Sequence, residues 1–215
     1  MMIAGSSVPQ SVTLAITGAS GVQYGLRLLE CLVATGGSVA LMVSTAAQVV
    51  FASETKLQVP GQPKAMAAFF TELYCAAPGQ IQVYGKQQWL APVASGSGRP
   101  RSMVVCPCST GSLSAISTGA SNNLIERAAD VALKERWPLI LVPREAPYTE
   151  VHLKCMLDLT RMGAVIIPAS PGFYHQPKTV ADLVDFVVAR ILKQLGLPQA
   201  LLPYWGEAGL NPQES

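Results

Sequence analysis

The sequence predicts an α/β protein, a three-layer sandwich in which a doubly wound parallel sheet lies between two layers of helices. Three observations carry that expectation. Short apolar runs recur along the chain, segments with helical spacing separate them, and glycines, hydroxyls or charges follow each run. Such alternation is the pattern of a parallel sheet covered on both faces.

Val12–Ile16 reads as the first buried strand, and "ITGASGVQYGLRLLE" (Ile16 to Glu30) continues it through a glycine-rich turn into a helix. The turn aims the helix's unpaired N–H groups and the positive end of its dipole at one point, where an anion is expected. Ser38–Val43 reads as the second strand, with a helix running on toward Glu54. From Lys56 to Arg101 the pattern is less regular, with a helix near Lys64 to Tyr74 and then a loop, "APVASGSGRP". Met103–Cys106 reads as the third strand, and a helix starts after Ser121-Asn122 and ends near Arg136, stopped by Pro138. Leu139–Val142 and Val165–Ile167 read as the fourth and fifth strands. In the last helix Val180, Leu183, Val184, Val187, Val188, Ile191, Leu192 and Leu195 form an i, i+3, i+4 stripe, with Asp182, Asp185, Arg190 and Lys193 off it.

The chain's 215 residues suit one domain, read as residues 12–205 between tails at 1–11 and 206–215. Hydrophobic residues make up 50% and charged residues only 13%, against about 25% charged in an average domain. So few charges cover a monomer poorly, and assembly with other copies is expected. The net charge of +2 comes with no basic run, which argues against nucleic-acid and polybasic membrane partners. Gly, Ser, Thr, Gln and Pro interrupt the uncharged stretches, so no membrane span is expected. Met1 to Gln10 lacks a cationic start before an apolar core, so no signal peptide is read and a cytoplasmic location is expected. Cys31, Cys75, Cys106, Cys108 and Cys155 show neither redox nor zinc spacing. His152 and His175 are the two histidines, and no metal site is expected.

Ligands of an open parallel sheet lie beyond the carboxyl ends of its strands. In order, those ends carry Gly18-Ala19-Ser20-Gly21, Ser44-Thr45, Pro107-Cys108-Ser109-Thr110, Pro143-Arg144-Glu145, and Pro168 to Tyr174. Ordinary turn chemistry accounts for any one of these, but less readily for all five. Gly18, Ser20 and Gly21 do not make G-x-G-x-x-G, and Ser44-Thr45 lacks the acid that holds a nicotinamide ribose. Ser20, Ser44, Ser109, Thr110 and Ser112 suit a mononucleotide phosphate, or serve as helix caps and turn residues. Arg127 and Lys134 share a helix face with Asp130 between them, which by itself reads as a solvated face with an Asp130–Lys134 pair. Arg144 can fork onto a phosphate, and Glu145 beside it can exchange a proton. Glu54 reads as another such carboxylate or as a surface residue. Tyr174, in a Pro-Gly turn, could present its hydroxyl to a ligand. Asp182 and Asp185 read as a solvated face rather than a metal pair.

Together "TGASGVQYGLRLLE", "CPCSTGSLSAISTG", "SNNLIERAADVALKERWPLILVPREAPY", "LTRMGAVIIPASPGFYHQP" and "LVDFVVARIL" resemble the flavin prenyltransferases, the UbiX family, over nearly the whole chain from Val12 to Trp205. The resemblance implies a flavodoxin-like, Rossmann-like fold, a homododecamer, and FMN. It implies metal-independent transfer of a dimethylallyl group from dimethylallyl monophosphate to N5 and then C6 of reduced FMN. The product, prenylated FMN, would pass to a UbiD-type decarboxylase, in ubiquinone synthesis or aromatic-acid decarboxylation.

Carried over by position, the resemblance assigns FMN to Gly18, Ala19, Ser20, Ser44, Ser109, Thr110, Gly111 and Ser112, with Arg144 near flavin and substrate. It assigns the allyl phosphate to Lys134, Arg144, Glu145, Tyr174 and Arg190, with Arg127 a further candidate and Trp205 lining the site. Ser20, Glu54, Lys134 and Glu145 are the implied catalytic set. One departure stands out, since the family often reads Ser-Lys-Ala-Ala where this chain has Ser44-Thr45-Ala46-Ala47. The composition agrees with metal-free chemistry, because the four aspartates, Asp130, Asp158, Asp182 and Asp185, form no Asp-rich motif. Lys134, Arg144 and Arg190 could hold a monophosphate leaving group instead. Two rivals are a flavin-dependent cysteine decarboxylase of the same fold, whose P-x-M-N-x-x-M-W-like segment is missing, and a non-catalytic FMN carrier. A carrier has no use for Lys134, Glu145, Tyr174 and Arg190 together.

Overall fold

Val12–Ile16 forms a central strand, β1, buried along its whole length, as its unbroken apolar run requires of a strand covered on both faces. It pairs in parallel with Val39–Val43 (β2) on one side and Met103–Cys108 (β4) on the other. Ile81–Tyr84 (β3), Leu139–Pro143 (β5) and Val165–Ile166 (β6) complete a parallel sheet of order β3-β2-β1-β4-β5-β6. The computed structural model describes residues 11–202, and all observations below concern these. The order reverses between β1 and β4, which makes their carboxyl ends the switch point where ligands of such sheets bind.

Two helical layers enclose the sheet. Val22–Ala34 (α1), Thr45–Glu54 (α2), Pro63–Leu73 (α3) and Val180–Gln194 (α7) pack Leu28, Leu32, Phe51, Phe70, Val188 and Ile191 against one face. Thr110–Ser117 (α4), Leu124–Lys134 (α5) and Glu150–Arg161 (α6) pack Leu113, Ile116, Ile125, Ala129 and Leu159 against the other. Each fully buried side chain of this size contributes about 1.5–3 kcal/mol. Gly25 lets α1 lie close on the sheet, since a Cβ there would stand 2.5 Å from the Cys106 carbonyl oxygen.

Side-chain caps fix the helix starts. Ser44, Ser109 and Asn123 cap α2, α4 and α5, while Thr149 and Thr179 close capping boxes on α6 and α7 with His152 and Asp182. His152 is therefore spent on a helix start. Asp185 pairs with Arg27 across α1 and α7 at 2.7 and 3.2 Å, so neither aspartate is merely solvated as the sequence suggested.

The sequence reading missed β3. Its short run IQVY buries only Ile81, with Gln82 exposed and Val83 and Tyr84 half-buried, and lies between "APGQ" and "GKQQ", so it carries the weak signal of an edge strand. β4 runs two residues past the expected end, with a register shift between Val105 and Cys108. Pro107 has no N–H for the ladder, and its carbonyl accepts instead from the Thr17 amide (3.2 Å) and hydroxyl (2.8 Å).

Candidate functional site

Three helices begin at the carboxyl ends of β1, β2 and β4, the edge where the sequence gathers its polar residues. α1 starts at Gly21, whose φ of 97° is left-handed and which offers no side-chain cap. The carboxylate of Glu54 takes that role. Its Oε2 accepts from the Gly21 amide at 2.9 Å and the Val22 amide at 3.2 Å. The anion expected at this turn is thus the chain's own carboxylate, brought from the last residue of α2.

Ser20 donates to the same carboxylate, and Arg144 Nε donates to the Ser20 carbonyl at 3.1 Å. Partial burial would raise the Glu54 pKa. The Ser20 hydroxyl, the two amides and the Arg144 charge outweigh it and hold the group below the ordinary glutamate value. Ser20, Glu54 and Arg144, from three separate segments, therefore form one cluster, and Glu145 follows it in the chain with its Oε1 on the Ala146 amide at 3.0 Å. Gly18 brings the turn against α2, where an added Cβ would collide with the Ala46 side chain and lie 3.3 Å from its carbonyl carbon.

The start of α4 differs. Ser109 Oγ accepts from the Ser112 amide at 3.3 Å and donates to Ser112 Oγ at 3.1 Å. The Thr110 and Gly111 amides have no partner among the described residues, and nothing lies within 4 Å of where a Gly111 Cβ would stand. These outward donors at a helix N-terminus fit a phosphate. Thr17, absent from the sequence candidates, joins the two starts. It is 1% exposed, and its hydroxyl accepts from the Ser109 amide at 2.7 Å while donating to Pro107. A buried threonine directly after a strand was the signal that could have found it.

Ser44 sits at the third start, its Oγ accepting from the Ala47 amide at 3.1 Å. Thr45 lines a neighbouring groove of about 280 Å³ that also takes in Lys86, so a cation is present there although position 45 carries none. Cys106 and Cys108 are buried, and burial raises both thiols, Cys108 to about 12, which keeps them protonated.

The cations do not all gather at this edge. Arg190 lies on α7 along a groove of about 310 Å³ beside β6, and Tyr174 packs on Phe186 one turn before it. Lys134 ends α5, five residues before β5 begins at Leu139, and so lies at the opposite, amino edge of the sheet. The expected Asp130–Lys134 pair is not formed. Arg127 takes Asp130 at 2.8 Å and the Ala94 carbonyl at 3.2 Å, and Lys134 pairs with Glu135. An i, i+3 guanidinium reaches Asp130 while α5 ends beside Glu135. Trp205 lies outside the described residues. Among those residues no cluster of His, Cys, Asp and Glu could hold a metal, and no helix is long and apolar enough to cross a membrane.

A family model described as Flavoprotein matches residues 4–192. The flavin prenyltransferase UbiX of Pseudomonas aeruginosa is 63% identical over 97% of this chain and 100% of its own length. A solved structure of AnUbiX (PadA1) in complex with FMN and dimethylallyl pyrophosphate superposes with a TM-score of 0.80 at 37% identity, covering 91% of this chain and 97% of that one. A dodecameric FMN-dependent UbiX-like decarboxylase from Escherichia coli O157:H7 gives 0.78 at 37% identity, covering 88% and 97%.

Proposed function

The chain belongs to the UbiX flavin prenyltransferases, and from that premise we propose that it transfers a dimethylallyl group from dimethylallyl monophosphate to N5 and then C6 of reduced FMN. The single observation that carries this reading is the cluster of Ser20, Glu54 and Arg144 beside the open amides of α4. A carboxylate, a hydroxyl and a guanidinium converge at one end of the switch point, and anion donors face outward at the other.

Reduced FMN, when bound, supplies the nucleophilic nitrogen and carbon. The Thr110 and Gly111 amides, with Ser109 and Ser112 nearby, hold its phosphate by direct donation at a helix N-terminus. Gly18, Ala19, Ser20 and Ser44 line its approach. Ser20 and Glu54 form a hydrogen-bonded pair able to hold or pass a proton at N5, with Glu54 kept anionic by the α1 amides and Arg144. Glu145 exchanges a proton at the leaving oxygen. Arg144, Arg190, Tyr174 and Lys134 stabilise charge on the departing phosphate without a metal, with Arg127 lining the site.

Lys134 at the amino edge can reach that phosphate only from a neighbouring copy. The assembly is accordingly a homo-oligomer, a dodecamer by analogy with the Escherichia coli relative. Val151, Leu153 and Leu157 on α6 are exposed apolar residues available to such contacts. The reading extends to one FMN-binding domain over 12–205, a cytoplasmic location, and delivery of the product to a UbiD-type decarboxylase in ubiquinone synthesis or aromatic-acid decarboxylation. Anaerobic incubation with reduced FMN and dimethylallyl monophosphate, beside the diphosphate, should add the mass of one prenyl group to the flavin. No mass gain with either donor overturns the proposal. Co-assembly of Lys134→Ala with Glu145→Gln subunits should restore activity that each lacks alone, and no recovery removes the shared site.

A further inference from the structure

We propose that Phe186 and His175 are positioning residues for the allyl-phosphate site, clamping the 167–179 segment so that Tyr174 is held over the α7 face that carries Arg190. This rests on the reading that Tyr174 and Arg190 meet the donor. Hydrogen bonds secure the two ends of the segment, with the Ala169 amide on the Pro143 carbonyl at 3.0 Å, and the Lys178 and Thr179 amides on Asp182 Oδ2 at 2.8 and 2.9 Å. Between those ends three rings pack together. His175 stacks on Phe186 with centroids 5.2 Å apart and planes 18° apart, and Tyr174 meets both edge-on at 5.7 and 5.5 Å. These are favourable aromatic geometries.

Gly172 completes the clamp. An added Cβ would stand 2.9 Å from Phe186 Cζ and 3.2 Å from Tyr174 Cε1, so the backbone itself presses on the rings. Among the described residues, both ring nitrogens of His175 are buried without a hydrogen-bond partner. The contacts His175 makes with Phe186 and Tyr174 are those of its ring. Phe186 also lines the groove beside β6 that Arg190 enters, and the two are four residues apart on one helix face. One phenyl ring therefore sets where the Tyr174 hydroxyl stands relative to the Arg190 guanidinium.

The test measures calorimetric affinity of dimethylallyl monophosphate for protein loaded with oxidised FMN, together with KM and kcat on reduced FMN. His175→Ala, Phe186→Leu and Gly172→Ala should each raise Kd and KM about tenfold while kcat changes less than about threefold and FMN affinity holds. His175→Phe, which keeps the plane and drops the nitrogens, should stay within about twofold of the parent. Unchanged Kd in His175→Ala and Phe186→Leu, with Tyr174→Phe still weakening the donor, overturns the clamp and leaves the site reading standing. Loss in His175→Phe with retention in His175→Gln overturns it too, by giving the role to the nitrogens. No effect of Tyr174→Phe overturns both the clamp and the assignment of Tyr174.

Discussion

The starts of α1 and α4 face the same switch point and are tied through Thr17, yet they are finished in opposite ways. At α1 a carboxylate of the chain itself, Glu54, fills the position an anionic ligand would take. At α4 the cap is local, and the Thr110 and Gly111 amides point outward. Two glycine- and serine-rich turns that look alike in sequence thus divide the labour. One holds a charged cluster of Ser20, Glu54 and Arg144, and the other keeps outward-facing amides; in the proposed function the first handles protons and the second binds.

The largest expected effect comes from discharging the first start. Glu54→Gln keeps the shape but removes the charge shared with Ser20 and Arg144, and prenylation should fall about 100-fold, within the range of general acid–base catalysis. Single-turnover mass analysis of the flavin checks this, and a rate near the parent's would break the division. Ser20→Ala should follow with a loss of about tenfold while FMN binding and thermal stability hold. The second start should respond in the other way. Gly111→Val projects into open space, so FMN affinity should drop about tenfold with the melting temperature unchanged. Gly18→Val meets Ala46 instead, and should cost about 1–3 kcal/mol of stability by overpacking. Equal melting temperatures for the two glycine variants would erase the contrast.

The smallest effect lies in pH. Because the folded Glu54 pKa is depressed, its stabilisation is complete above the ordinary glutamate value of about 4.3 and is lost as pH falls through the folded value. Glu54→Gln should therefore lower stability near neutrality and converge on the parent as pH falls through the folded value, which flattens part of the acid limb. An acid limb identical to the parent's removes Glu54 from that role.

The sequence showed most of the fold because strand runs and helix stripes are set by neighbours within a turn or two. β1, β2, α3, α5 and α7 stand within a few residues of their expected bounds. The site was legible as a set of strand ends but not as partners. Ser44 and Ser109 proved to be helix caps, one of the two readings their positions allowed. Glu54 could be read equally as a site carboxylate or a surface residue, because nothing local marks a carboxylate that will cap a helix 33 residues earlier.

By itself the sequence determined the alternation of strands and helices, the glycine that lets α1 start sharply, and the family through motifs spread over the chain. Only the tertiary structure decided that Glu54 rather than a ligand occupies the start of α1, that Thr17 joins it to α4 across 92 residues, and that Lys134 ends at the opposite edge from Arg144. Periodicity is a property of adjacent residues, whereas charge pairing and helix capping across a sheet depend on which strand ends the topology sets side by side.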